Sequence, residues 1–422
     1  MRVLIVSPLY PPRLRVGALR TFSFARGFAD AGHDVSVLTT AKRPDQGGLH
    51  VHDPRVRVVE LPWRCGPLID RLRASCEVSP EIHVPGRGKG FLGRLKERTG
   101  VFSSTRMPDL TDGWVEPAQA WGHANAPFDV VVSSSGPYTA HLVGLGLRQC
   151  ARCWIADFRD LWTDNPTFPG LYPFTMRERA LERRVLAQAD VVTTVSRPLA
   201  EQLGRLGAGR VEVIYNGHFE QEIEPVPGER VFAGDGLRRI VYTGSIYPRQ
   251  QDCRQIFAAL ALLGEQARRF RLVAAGPALP YWQALAEEHG LGHLLEHRGA
   301  VPRPMALAMQ RDADALLAVE FAGASDGVLS GKIFEYLASQ APIIVTGPRG
   351  CVGDLVEQTG RGVAAESPEQ VRQILAALLE SRPVVHARRR DDLIASFTRE
   401  AQAARLCQLA ESCLDVPAVQ AL

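Results

Sequence analysis

The sequence predicts an α/β protein built from two doubly wound parallel sheets. Short apolar runs alternate with amphipathic helical stretches from residue 2 onward, the pattern of a parallel sheet with helices on both faces. The pattern restarts after a stretch rich in proline, glycine and charge at 219–238. The chain of 422 residues is 45% hydrophobic, enough to bury two cores.

In the first half, residues 2–8 read as a buried strand, 11–17 as a Pro/Arg/Gly loop and 19–31 as an amphipathic helix closed by Gly32. Further strands are expected at 35–39, 56–61, 128–133, 153–157, 191–195 and 211–214, with helices at 173–187 and 197–205. Residues 63–112 break the pattern and are rich in Arg, Lys, Gly and Pro. In the second half, strands are expected at 240–242, 270–274, 295–298, 315–319 and 343–346. Helices are expected at 255–263, 282–289, 304–311, 332–338, 368–379 and 391–412. The expected domains are 1–218, with a C-terminal helix of about 400–422 free to pack back on it, and 239–399, joined by the linker 219–238. Two such halves imply a cleft between them, the usual place for a ligand.

A net charge of +3 argues against a nucleic-acid partner. No stretch approaches the ~20 apolar residues of a membrane span. The opening MRVLIVSPLY reads as a strand, not a leader. Eight scattered cysteines argue for reduced thiols and a cytoplasmic location. Cys150 and Cys153 form a lone CxxC without the second pair that a zinc site needs.

The most informative stretch is Gly327-Val-Leu-Ser-Gly-Lys-Ile-Phe-Glu-Tyr-Leu-Ala338. A loop of small residues (Val328, Leu329, Ser330) opens a helix whose N-terminus favours anions. Lys332 and Glu335 are three apart and share a face there. A lysine suits phosphate and a glutamate suits a hydroxylated sugar, so the pair fits a sugar nucleotide. Thr243-Gly-Ser-Ile-Tyr-Pro-Arg249 follows the first strand of the second half, where Gly244 and Ser245 allow close approach and Arg249 could clamp a diphosphate. Gly17 opens the corresponding helix of the first half. His141, after Ser133-Ser-Ser-Gly-Pro-Tyr-Thr-Ala, could meet a sugar or be structural. Asp157-Phe-Arg-Asp-Leu-Trp162 brings Asp157, Arg159 and Asp160 to a strand end, for an acceptor or for a local ion-pair network. The basic segment 87–106 (Arg87, Lys89, Arg94, Lys96, Arg98, Arg106) could lie on an anionic membrane or be a solvated loop.

Read together, these motifs resemble the family-four retaining glycosyltransferases, whose GT-B fold pairs two Rossmann-like domains. The resemblance also rests on Ala31-Gly-His-Asp-Val-Ser-Val37, Val195-Ser196, Val213-Ile-Tyr-Asn-Gly217 and Ala275-Gly-Pro277. The Asp157–Trp162 segment is similar to members that build surface polysaccharides. Many members place a glutamate eight residues before the second one, where this chain has Gly327; Asp326 or the backbone of Val328 and Leu329 would substitute.

The resemblance implies that Arg249 and Lys332 neutralise the leaving diphosphate and that Glu335 holds the ribose. The loop from Arg298 to Val301 would line the base, and Gly17 would let the first domain approach the donor phosphates. His141 would sit near the transferred sugar, and Asp157, Arg159 or Asp160 near the acceptor. It implies neither metal nor cofactor, the nucleoside-diphosphate sugar being a substrate. The expected acceptor is lipid-linked or a growing saccharide. A soluble aglycone is the alternative within the class; a sugar-nucleotide epimerase or a silent partner protein is the alternative outside it.

Overall fold

Strands buried on both faces carry near-continuous apolar runs. Among the described residues the computed structural model places thirteen strands, most of them buried, in two parallel sheets of seven and six. It describes residues 1–13, 16–42, 47–62, 95, 98–101, 105–109, 111–166, 168–222, 230–232, 234–323, 327–385 and 387–415.

The first sheet comprises β1 (Arg2–Val6), β2 (Asp34–Thr40), β3 (Val56–Leu61), β4 (Phe128–Ser134), β5 (Ala151–Phe158), β6 (Val191–Thr194) and β7 (Val211–Val213). Their order is β3-β2-β1-β4-β5-β6-β7. With them go α1 (Val16–Asp30), α2 (Val115–Ala124), α3 (Thr139–Gly146), α4 (Phe174–Gln188) and α5 (Arg197–Arg205). Trp114, Trp154, Trp162 and Phe158 are fully buried in one core of this unit.

The second sheet comprises β8 (Arg238–Thr243), β9 (Phe270–Ala275), β10 (Leu295–Gly299), β11 (Ala315–Val319), β12 (Ile343–Thr346) and β13 (Gly362–Ala365), ordered β10-β9-β8-β11-β12-β13. Its helices are α6 (Arg254–Leu262), α7 (Leu279–Glu288), α8 (Arg303–Arg311), α9 (Gly331–Ala338), α10 (Cys351–Gln358), α11 (Pro368–Leu379) and α12 (Asp391–Ala395). The last helix, α13 (Arg399–Asp415), belongs to the first unit, against α1. Among the described residues the first unit thus runs to Tyr215 and resumes at Arg399, and the second spans Asn216–Thr398.

In each sheet the strand order reverses once, between β1 and β4 and between β8 and β11. Loops leaving the carboxyl ends of those strands flank a crevice suited to a ligand.

Two expectations need correction. The helix expected at 391–412 is two helices, because Ser396 and Thr398 hydroxyls bond the carbonyls of Leu393 and Ala395 at the end of α12. Phe397 is buried between them and packs its ring 5.6 Å from Phe334. The thiols are not all reduced: Cys153 on β5 and Cys413 on α13, 260 residues apart, form a disulfide. The return of the chain at Arg399 brings that pair together, which spacing along the sequence conceals. Cys150, the other half of the CxxC, contacts His123 Nδ1 at 3.1 Å.

Most of the basic segment 87–106, including Arg87, Lys89, Arg94 and Lys96, lies outside the described residues, as does Asp326. Arg98 is exposed, but Arg106 is buried. Its guanidinium donates to the carbonyls of Phe168 and Thr163, each at 2.6 Å, and faces Glu178 at 3.6 Å, so it is not free to meet a membrane.

Candidate active site

The second unit gathers its polar groups at the β8/β11 reversal. Lys332 lies in the first turn of α9, whose N-cap residue, Ser330, makes no side-chain cap. Its ammonium rests 3.9 Å from the centre of the Tyr242 ring, donates to the Tyr242 hydroxyl and reaches the Ser245 carbonyl at 3.3 Å. Burial lowers its pKa to about 7, against the upward pulls of Cys253 and Glu335. A half-buried lysine at a helix N-terminus, with glycine backbone beside it, is an anion site seeking a permanent charge.

Gly244 follows β8 with φ +101, a conformation that favours glycine, and the Lys332 side chain lies 3.8 Å from where its Cβ would stand. Gly276, at the end of β9, is tighter: a Cβ there would stand 2.2 Å from the Gly244 carbonyl oxygen. Gly276→Ala is therefore expected to cost about 2 kcal/mol of stability in the second unit and to move the Gly244 loop. A denaturant melt and nucleotide titration of the variant would check both effects.

Glu335 is held on both oxygens. Arg303 of α8 pairs with Oε1 at 2.7 Å, and Gln310 donates to Oε2 at 3.3 Å while also reaching Thr243 Oγ1 at 2.9 Å. Tyr336 closes the network by accepting from the Thr243 backbone N–H at 2.9 Å. Arg298, expected to line the base, pairs with Glu296 and is exposed. Sequence reading missed Arg303, Gln310 and Tyr242. The signal was there in part: Arg303 and Gln310 are seven apart, two turns along one helix face.

Arg249 is exposed on the loop after β8, and its side chain makes no hydrogen bond or ion pair among the described residues. Val301 is half-buried just beyond β10. Val328, Leu329 and Ser330 lead into α9, and the Leu329 carbonyl accepts from Asn216 Nδ2 at 3.5 Å. Gly327 is buried with φ +92, so a glutamate in that place would be strained. The nearby acid Glu320 is already committed. It caps α10 by accepting from the N–H groups of Val352 and Gly353 at 3.3 and 2.9 Å.

The first unit holds the remaining candidates, and there the roles change. Asp157 is fully buried and accepts from Arg20 Nε and Nη2 at 3.0 and 2.7 Å, Ser134 Oγ at 2.7 Å and Thr193 Oγ1 at 2.8 Å. Arg20 spends its remaining donors on the carbonyls of Ile214 and Tyr215. Asp157 is thus the hub joining β4, β5, β6 and α1, not an acceptor contact. Sequence reading also missed Arg20, a lone charge within the buried residues of α1.

Gly17 makes room for Arg159, whose guanidinium would lie 2.1 Å from a Cβ there. Arg159 in turn donates to the carbonyls of Ser135 and Gly136. The space at Gly17 is taken by a side chain of the same unit, which corrects its reading as room for donor phosphates. His141 is a core residue: its Nδ1 lies 2.9 Å from Ser133 Oγ, its ring stacks 4.2 Å from Phe158, and burial drives its pKa down to about 3. It stays neutral at physiological pH and has no surface to offer a sugar, which corrects the catalytic reading. Of Asp157, Arg159 and Asp160, the last alone is exposed.

Among the described residues, His33, Cys407 and Glu411 of the first unit are grouped at metal-ligand spacing; the other such group, Cys153, Asp190 and Cys413, has its two sulfurs joined in the disulfide.

A glycosyl transferase 4-like domain matches residues 17–217, and a glycosyl transferases group 1 domain matches residues 238–381. No curated protein matches the chain in sequence. Among solved structures, a sucrose-phosphate synthase from Thermosynechococcus elongatus superposes with a TM-score of 0.68 at 17% identity, covering 97% of this chain and 98% of that one. Anabaena HepE in complex with UDP and glucose gives 0.55 at 13% identity, covering 98% and 97%. WaaG, a glycosyltransferase involved in lipopolysaccharide biosynthesis, gives 0.53 at 15%, covering 98% and 99%.

Proposed function

The chain belongs to the family-four-like glycosyltransferases with the GT-B fold, and on that premise we propose that it transfers a sugar, with retention, from a nucleoside-diphosphate sugar to a lipid-linked or saccharide acceptor. The observation that carries the donor half is the Lys332 ammonium. It is poised over Tyr242 and beside Gly244 at the β8/β11 reversal, one turn from Glu335. The UDP and glucose bound by HepE support this donor class.

In this reading Lys332 and Arg249 meet the diphosphate, and Glu335 accepts the ribose hydroxyls, oriented by Arg303 and Gln310. Val328, Leu329 and Ser330 offer backbone to the donor, while Arg298 and Val301 flank the base. Charge that develops on the leaving group is met by Lys332, Arg249 and the N-terminus of α9, so no metal step is invoked. On the acceptor side the reading keeps Asp160 and gives Asp157 and Arg159 positioning tasks.

The lowered pKa of Lys332 carries a sign. A bound diphosphate favours the charged form, so above about pH 7 binding must take up a proton. Nucleoside-diphosphate affinity is expected to fall as pH rises from there, by up to about tenfold per unit. Lys332→Arg, permanently charged, should flatten that slope in calorimetric titrations.

The reading is tested by incubating the protein with a panel of nucleoside-diphosphate sugars and lipid-linked, saccharide and aglycone acceptors, then assigning the anomeric configuration of the product by NMR. Retained configuration on a lipid-linked or saccharide acceptor is expected. An inverted product, or interconversion of the donor sugar without acceptor, would overturn it.

A further inference from the structure

Helix α4 reads from its sequence as a mixed-charge helix, with Arg177, Glu178, Arg179, Glu182, Arg183 and Arg184 close together. The fold separates those charges. Glu178 and Glu182 both turn inward: Glu178 accepts from the Met107 N–H at 2.7 Å, and Glu182 accepts from the Thr163 hydroxyl. With Val185 and Leu186 they form the buried stripe of the helix, at the spacing that one face requires. All four arginines are left on the exposed face; none of their side chains makes a hydrogen bond or ion pair among the described residues, and Arg177 acts on Asp112 only through its charge.

The same end of the helix exposes apolar surface. Tyr172, Phe174 and Met176 are 75%, 37% and 64% exposed. They are three of the nine large hydrophobic residues that stand exposed among the described residues, yet they fall within five positions. A soluble chain has no reason to gather them there beside four cations. The patch opens the helix that returns from the carboxyl end of β5, the edge of the sheet that also carries Asp160. The exposed acids of the intervening loop, Asp160 and Asp164, are two against four.

We infer that this surface docks on an anionic lipid bilayer. Tyr172, Phe174 and Met176 enter the headgroup boundary, and Arg177, Arg179, Arg183 and Arg184 pair with lipid phosphates. Arginine is suited to that task, because its planar fork meets phosphate oxygens two at a time. The inference goes beyond the donor reading, which concerns the second unit alone, and it brings the Asp160 edge to the surface where a lipid-linked acceptor resides.

The test is flotation of the full chain with phosphatidylcholine vesicles, with and without phosphatidylglycerol. The wild type is expected to float with the anionic vesicles and not with the neutral ones. Tyr172→Ser, Phe174→Ser and Met176→Ser together, or Arg177→Gln, Arg179→Gln, Arg183→Gln and Arg184→Gln together, should each weaken the partition by at least about tenfold. Both sets are surface changes, and an unchanged melting temperature and nucleoside-diphosphate affinity would show that the fold and donor site persist. Wild-type protein that ignores anionic vesicles overturns the inference, as does undiminished flotation of either variant. Binding that depends on the arginines but not on the apolar triad, and passes equally to heparin, overturns it in favour of a soluble polyanion.

Discussion

Lys332→Ala is expected to lower transfer turnover by about 10²–10³-fold while the melting temperature barely moves. The magnitude follows from removing one preorganised charge aimed at developing negative charge in a partly dry site. Stability should hold because the ammonium carries a desolvation cost in the unliganded protein, visible in its pKa of about 7. Its loss leaves Tyr242 still donating to the Ser245 carbonyl at 2.7 Å, so no buried polar group is orphaned. Lys332→Arg should recover only part of the activity, because the guanidinium is longer and planar and must displace the hydroxyl of Tyr242. Steady-state kinetics with a saturating acceptor, beside a thermal melt, would check the prediction. Wild-type turnover in Lys332→Ala would remove the lysine from the chemistry.

Asp157→Ala should do the opposite, destabilising the first unit by about 3–5 kcal/mol and losing activity through unfolding. The variant strands Arg20, 1% exposed, as an unpaired charge in the core and removes the acceptor for Ser134 and Thr193. Burial alone would raise the Asp157 carboxyl pKa, but Arg20, Ser134 and Thr193 overcome that and hold it below its ordinary value. Its contribution to stability is therefore full above the unfolded carboxylate range and is lost as pH falls through the lowered folded value. Adding Arg20→Met to Asp157→Ala should restore part of the stability, since an apolar replacement of both partners avoids the stranded charge. Urea denaturation of the three chains would decide. Equal loss in the single and double variants would mean that Asp157 acts through something other than Arg20.

These two residues show what was legible in the sequence. Both sheets were readable because buried parallel strands are apolar runs: residues 343–346 and 315–319 needed no partner to declare themselves. Lys332 and Glu335 were readable because three residues on a helix fix a shared face, whatever surrounds them. Asp157 was seen but its task was not, because Arg20 lies 137 positions away on α1, and Ser134 and Thr193 become neighbours only through the β4-β5-β6 pairing. Arg303 and Arg298 differ by five positions, yet only the first faces Glu335, a matter of where β10 ends and α8 begins. The paired glutamates of α4 look like surface charge until Met107 and Thr163 draw them inward. The disulfide of Cys153 and Cys413 depended on the return of α13 to the first unit, which no local pattern announces.

The central claim is that Lys332 and Glu335 hold the nucleoside diphosphate of a sugar donor. Calorimetric titration of nucleoside diphosphates into the wild type, Lys332→Ala and Glu335→Ala, each repeated with the 2′-deoxy form of the nucleotide that binds, tests it most directly. The wild type should bind at least one ribonucleotide and discriminate against its deoxy form. Lys332→Ala should weaken both forms by at least about tenfold, and Glu335→Ala should abolish the discrimination, the loss of one or two charge-assisted hydrogen bonds each. No binding to any nucleoside diphosphate, or equal affinity in all three chains, would contradict the claim.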